Sequence, residues 1–316
     1  MGNEPRPEPG STFRAGFACI VGRPNAGKST LTNALVGAKV AITSGRPQTT
    51  RHAVRGIVHR PDGQLILVDT PGLHRPRTLL GERLNAVVRE TLAQVDVIVF
   101  CLPADQRVGP GDTFIARELA DARTPVVAVA TKADLVSRER LAAHLLAIDA
   151  LGDWAAVIPV SATSGYQVDD LADVLMGYLP ISVPLYPDGE LTDEPESVMV
   201  AELVREAALE GVRDELPHSL AVVVDEIVER PRAQSAGAGR AADRRPLLDV
   251  RVTLFVERPS QKAIVIGAGG ARLKQVGSQA RRGIEALLGA RVFLDLRVKV
   301  AKDWQRDPKQ LGRLGF

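Results

Sequence analysis

Along the first 180 residues, short and almost wholly apolar runs alternate with stretches whose apolar positions recur every three to four residues. The apolar runs fall at 17–21, 65–68, 95–101, 126–130 and 157–160. Between and after them, 29–35, 79–92, 113–120, 139–150 and 168–178 carry the helical period. Strands that are apolar throughout lack a polar face, so they belong in a parallel sheet covered on both sides. The pattern predicts an α/β domain with a doubly wound, mostly parallel sheet.

The alternation stops at "LPISVPLYPDGELTDEP", which carries four prolines after Leu179 and shows neither period. Proline fixes φ and removes a backbone donor, so 181–196 reads as a linker. Beyond it, 197–209 has a helical pattern with Ser197, Ala201, Val204 and Ala208 on one face. Residues 220–229 and 247–257 read as strands, joined by an Arg-, Ala- and Gly-rich loop at 231–246. A helix over 271–288 and a strand over 290–300 follow, which makes a smaller α+β domain. Residues 1–12, polar and proline-rich, read as a disordered tail without the apolar stretch of a secretory signal.

"GRPNAGKST" opens where the first strand ends. Gly22, four free positions, Gly27, Lys28 and Ser29 between a strand and a helix form a phosphate-binding loop. In such a loop the backbone of Gly22, Arg23, Pro24, Asn25, Ala26 and Gly27 curls so that its N–H groups, of which Pro24 has none, point at phosphate oxygens, and the helix dipole adds positive potential. Lys28 reaches the β- and γ-phosphates, Ser29 sets its hydroxyl on Mg²⁺, and Thr30 follows on the helix. "DTPGLH" follows the strand at 65–68. Asp69 suits a contact to Mg²⁺ through water, and the Thr70–Pro71–Gly72–Leu73 turn brings the Gly72 N–H to a γ-phosphate. Lys28, Ser29 and Gly72 are the candidate catalytic groups.

"ATKADL" names the base. A carboxylate beyond a strand end, Asp134, accepts from guanine N1–H and the 2-amino group, a donor pair adenine lacks. Lys132 lies along the base plane, with Ala133 between them. The usual GTPase pattern is Asn-Lys-x-Asp; Thr131 here replaces Asn, keeping a side-chain hydrogen bond without the amide's reach. "PVSAT" places Ser161 and Ala162 where a backbone N–H can meet the guanine oxygen. The polar stretch "SGRPQTTRH" supplies a candidate switch of Gln48, Thr49, Thr50, Arg51 and His52, in which Thr49 or Thr50 completes the Mg²⁺ coordination. In the second half, Gly267-Ala268-Gly269-Gly270 marks a tight turn between an apolar run that reads as a strand and a helix with basic positions, and Lys262, Arg272, Lys274, Arg281 and Arg282 surround it in sequence.

Charge sharpens the division. From residue 244 onward there are 16 Lys+Arg and 6 Asp+Glu, a net +10, which leaves −8 for the rest of a chain with overall charge +2. A basic C-terminal part suits a polyanion or a solvated basic face. Only two cysteines occur, in apolar runs, so a disulfide framework is excluded and a reducing cytoplasm fits. The five histidines lack metal-ligand spacing with them. No run of 18 apolar residues crosses a bilayer.

Taken together, GRPNAGKS, PQTTRH, DTPGLH and TKAD, then ERPSQKAIVIGAGGARLKQVGSQAR and VKVAKDWQRDP, resemble the Era family, across nearly the whole chain. The resemblance implies a GTPase domain over 13–180 and a type II KH domain over 197–316, binding the 3′-end region of 16S ribosomal RNA and assisting small-subunit assembly. It implies GTP and GDP as ligands, Mg²⁺, and K⁺ held with the help of Asn25 where other GTPases use an arginine finger. Leu73 stands where many small GTPases carry a water-orienting Gln, so slow intrinsic hydrolysis follows. Clamping by a GXXG loop grips about four unpaired nucleotides; Ala268 and Gly269 leave it without the usual basic residue. The competing readings are a switch that meets a membrane periphery or a protein partner through its basic C-terminus, and a tRNA-modification GTPase, for which no cofactor site or C-terminal cysteine chemistry is present.

Overall fold

In the computed structural model, residues 12–43, 53–73, 76, 78–210, 219–230 and 245–316 are described. They form two units, Met1–Asp193 and Glu194–Phe316.

The first unit carries β1 (Arg14–Val21), α1 (Lys28–Val36), β2 (Val54–Arg60), β3 (Gly63–Asp69), α2 (Leu79–Leu92), β4 (Val97–Pro103), α3 (Pro110–Leu119), β5 (Val126–Thr131), α4 (Arg138–Asp149), β6 (Ala156–Pro159) and α5 (Val168–Gly177). The sheet order is β2-β3-β1-β4-β5-β6. All neighbours pair parallel except β2 with β3. Residues of α1 and α5, among them Leu31, Leu35, Leu171 and Leu175, bury one face of the sheet. Val88 of α2, Ile115 and Leu119 of α3 and Ile148 of α4 bury the other. Both faces being covered is why β3, β4 and β5 are buried along their whole length.

Strand β2 is absent from the sequence-based reading. Its pattern, VRGIVHR, mixes charge into the run, as an edge strand does, and it turns into β3 through Pro61-Asp62 with Arg60 opposite Gly63. The Pro-Asp-Gly string was the signal for that hairpin.

The proline-rich segment after Leu179 is laced to the first unit. The buried Gln64 on β3 accepts from the N–H groups of Leu185 (2.7 Å) and Tyr186 (2.9 Å) and donates to the Tyr186 carbonyl (2.9 Å). On β2, Ile57 N–H donates to Leu191 O, His59 Nε2 meets Glu190 O at 2.7 Å, and Arg55 pairs with Asp193 at 2.8 Å. Irregular backbone thereby covers the open edge of the sheet.

The second unit carries α6 (Glu196–Leu209), β7 (Ala221–Glu229), β8 (Leu247–Val256), α7 (Pro259–Ile266), α8 (Ala271–Leu288), β9 (Arg291–Val300) and α9 (Pro308–Arg313). Its sheet runs β7-β8-β9, with β7 antiparallel and β9 parallel to β8. Helices α6, α7 and α8 cover one face of it around Val204, Val252, Val265 and Ile284. Two expectations need correction. The buried stripe of α6 is Val200, Val204, Ala207 and Ala208, with Ser197 exposed and Ala201 only half-buried. The apolar run before the GXXG turn is a helix rather than a strand: Pro259 occupies its first turn, and the Gln261 side chain accepts from the N–H groups of Glu257 and Arg258 and so caps it.

Candidate functional site

The phosphate loop leaves β1 at the centre of the sheet, where the strand order reverses, and DTPG, TKAD and SAT leave the same ends of β3, β5 and β6. That edge is where open α/β sheets hold ligands. Gly27 caps α1 without a side-chain bond, so the N–H groups of the first turn stay available to an anion. Lys28 is buried, and its Nζ donates to the carbonyls of Gly22 (3.3 Å) and Arg23 (3.2 Å). Burial holds its pKa below the ordinary lysine value, against the pull of Asp69. Cys19 and Cys101, buried in the flanking strands, are pushed up to about 12 by desolvation and stay as thiols.

The DTPG turn is fixed against this loop. Thr70 Oγ1 donates to Ile20 O at 2.7 Å, and Leu73 N–H donates to Gly22 O at 3.2 Å. A Cβ on Gly72 would stand 2.9 Å from Pro24 N, so only glycine lets the two loops meet. Ser29 Oγ donates to Asp69 Oδ2 at 2.6 Å. A hydroxyl and a carboxylate together at the mouth of a phosphate loop are hard oxygen donors of the kind Mg²⁺ takes. Leu73 is 2% exposed and packs in the core with Val21 and Phe100. Gln48, Thr49, Thr50, Arg51 and His52 lie outside the described residues, as does the loop at 231–244.

Two acidic residues that the sequence-based reading passed over organise the site. Arg23 Nε donates to Asp112 Oδ1 at 2.8 Å, and Gly109 N–H donates to Asp112 Oδ2 at 2.9 Å, so one buried carboxylate caps α3 and ties down the phosphate loop. Asp105 pairs with Lys132 Nζ at 3.1 Å. Nothing in the string "ADQRVGPGD" distinguishes these carboxylates from solvated ones.

Beside the loop lies a cleft of about 360 Å³, lined by Leu31, Thr131, Lys132, Asp134, Leu135 and Ala162 among others. Leu135 is 61% exposed and offers an apolar face to a planar ring. Lys132 has φ 58°, and Ala133 N–H donates to Val160 O at 3.2 Å, which locks the TKAD turn to β6. Ser161 N–H is engaged with Tyr166 O at 3.0 Å and Ala162 lines the cleft, so the Ala162 amide is the candidate donor of the pair. Thr131 Oγ1 donates to Ala26 O at 2.6 Å.

In the second unit the turn Gly267–Gly270 joins α7 to α8. Gly267 has φ 74°, and a Cβ there would sit 2.7 Å from Arg272 Cβ, so glycine is required. Ala268 and Gly269 are exposed at the start of α8, an 18-residue helix whose N-terminal dipole faces the turn. Lys274, Arg281 and Arg282 are exposed on α8, the last two more than two turns beyond the loop; Lys262 is half-buried on α7. Arg272 plays a different part: its guanidinium donates to the carbonyls of Ala208 and Glu210 and ties α8 to the end of α6.

Family models match both units: "50S ribosome-binding GTPase" over residues 17–132 and "KH domain" over residues 215–305. The chain is 68% identical to the GTPase Era of Streptomyces coelicolor, covering 98% of this chain and 97% of that one. It is 63% identical to the GTPase Era of Mycolicibacterium smegmatis, covering 96% and 99%. Among solved structures it resembles Era in complex with MgGDPNP and nucleotides 1506–1542 of 16S ribosomal RNA, at 34% identity and TM-score 0.88 over 96% of this chain and 99% of that chain. It also resembles an Era variant from Aquifex aeolicus bound to GDP and AlF4−, at 34% identity and TM-score 0.86 over 96% and 99%.

Proposed function

This chain belongs to the Era family of GTPases, and from that premise we propose that it grips the single-stranded 3′-end region of 16S ribosomal RNA, assists small-subunit assembly, and hydrolyses GTP to GDP and phosphate as it cycles. The observation that carries the reading is the pairing, in one chain, of a phosphate loop docked on DTPG and TKAD with a GXXG turn opening a basic helix.

The chemistry follows from the side chains present. The β- and γ-phosphates are held by the loop N–H groups and by Lys28, whose ammonium is stripped of water and so interacts strongly with them. Ser29 and Asp69 would hold Mg²⁺, joined by Thr49 or Thr50; the ion supplies positive charge to the transferring phosphoryl. Gly72 offers its N–H to the γ-phosphate. Asp134 accepts from guanine N1–H and the 2-amino group, and the Ala162 amide meets the 6-oxygen. Leu73 is packed in the core and cannot orient a water, so intrinsic turnover is slow, and a cation held near Asn25, K⁺ in the family, would speed it.

At the other end, an RNA backbone packs against exposed Ala268 and Gly269, over the α8 N-terminus and beside Lys274. Among the described residues no helix is long and apolar enough to cross a membrane. A protein acting on the ribosomal subunit would work in the cytoplasm. Crosslinking in cells followed by sequencing of the bound RNA tests the reading. Reads concentrated at the 3′ end of 16S RNA support it; reads scattered over tRNA or over messages at the membrane refute it.

A further inference from the structure

The guanine ring presents hydrogen-bonding groups on two edges: N1–H and the 2-amino group on one, and N7 and the 6-oxygen, both acceptors, on the other. Asp134 and the Ala162 amide answer the first edge and the 6-oxygen. N7 needs a donor. In the Asn-Lys-x-Asp pattern the side-chain amide has two N–H bonds, enough to hold the phosphate loop and still reach the base. A threonine hydroxyl has one.

Here that single hydrogen is already committed. Thr131 Oγ1 lies 2.6 Å from Ala26 O and is 105 residues from it in sequence, a bond that closes the phosphate loop onto β5. Thr131 is 4% exposed, and its oxygen stands 3.6 Å from where a Cβ on Gly27 would be, so the side chain is wedged under the loop. The other substituents on its Cβ are a methyl group and a hydrogen, neither of which donates. Of the neighbouring side chains, Lys132 Nζ is paired with Asp105 at 3.1 Å, and the Thr163 and Ser161 hydroxyls meet each other at 3.4 Å.

The geometry points to a guanine site that leaves N7 unread: Thr131 ties down the phosphate loop and has no second hydrogen for the base, so the protein binds a guanine nucleotide lacking the N7 acceptor about as readily as GTP. The inference rests on the cleft being the guanine site. Selectivity survives the loss for a chemical reason. Adenine also carries an N7 acceptor, so an N7 donor raises affinity for both purines and distinguishes neither. Guanine over adenine is decided by Asp134 and the Ala162 amide alone.

The experiment compares 7-deaza-GTP, in which N7 is a C–H, with GTP and ATP on the full-length protein by calorimetry or fluorescent-nucleotide competition. Wild type binds 7-deaza-GTP within about twofold of GTP. Thr131→Asn restores a second donor: GTP binding tightens about five- to tenfold, the size of one added hydrogen bond. The gain is absent for 7-deaza-GTP, and the GTP-to-ATP preference stays unchanged. Thr131→Val removes the bond to Ala26 and weakens GTP and 7-deaza-GTP by the same factor. A wild-type protein that binds 7-deaza-GTP tenfold or more weakly than GTP overturns the inference, and so does a Thr131→Asn protein blind to N7. Failure of the wild type to prefer GTP over ATP would instead refute the assignment of the cleft, and the two failures are separately visible.

Discussion

Replacing Asp112 by Ala tests how the phosphate loop is held. The carboxylate is 1% exposed and accepts two bonds, from Arg23 Nε at 2.8 Å and from Gly109 N–H at 2.9 Å. Losing the second removes the cap of α3, about 1 kcal/mol. Losing the first leaves a guanidinium without its acid. Breaking a fully buried pair costs roughly 3–5 kcal/mol. The Arg23 side chain is 24% exposed and water reaches part of it, so about 2 kcal/mol is the better figure here. The sum is about 3 kcal/mol.

Two units melt separately or together, so the readout must be assigned. Scanning calorimetry with and without GDP does this, because the transition that GDP raises belongs to the nucleotide unit. For a unit of this size Asp112→Ala should lower that transition by about 6–12 °C. Asp112→Asn keeps an acceptor for Gly109 and should fall by about half as much. Nucleotide affinity should drop in the same order, since Lys28 bonds to the Arg23 carbonyl. An Asp112→Ala protein whose transition moves by under 2 °C would show that water replaces both bonds without cost, and the clamp would be incidental.

Other outcomes follow from the same geometry. Asp134→Asn exchanges an acceptor for a donor at the guanine edge: GTP should weaken about a hundredfold and xanthosine triphosphate should gain, read by competition with a labelled nucleotide. Gly269 has φ 57° and open space around it, a conformation Asp tolerates. Gly269→Asp should therefore fold normally, keep GTP affinity and weaken binding of a 16S 3′-end oligonucleotide. Gly267→Ala should instead lower the melting temperature of the second unit, because its Cβ meets Arg272. His144 is depressed below 6.5, first by burial. The folded state then binds fewer protons than the unfolded one, so its share of stability is complete above pH 6.5 and is lost as pH falls through the lowered value. Denaturant titrations from pH 7.5 to 5 should show that slope, and His144→Gln should flatten it.

Much of this molecule was legible in its residues because local patterns record local burial. Apolar runs with no polar face fixed the parallel strands; the boundaries of α2 and the start of α5 fell where the helical period placed them. GRPNAGKS, DTPG and TKAD stand out in the sequence because a site for a guanine nucleotide, as proposed above, needs those residue types at those spacings along one chain. What eluded the sequence depended on partners distant along it. Strand β2 needed a neighbour to look like a strand, since an edge strand carries charge on its open side. The run before the GXXG turn is equally consistent with either period until Pro259 and Gln261 are seen to cap it. Arg272, Asp105 and Asp112 are surface-like letters whose roles are set by what the fold brings within hydrogen-bonding distance. Thr131 shows the division most plainly: its hydroxyl could have faced a base or a loop carbonyl, and only the packing of β5 under the phosphate loop turns it to Ala26.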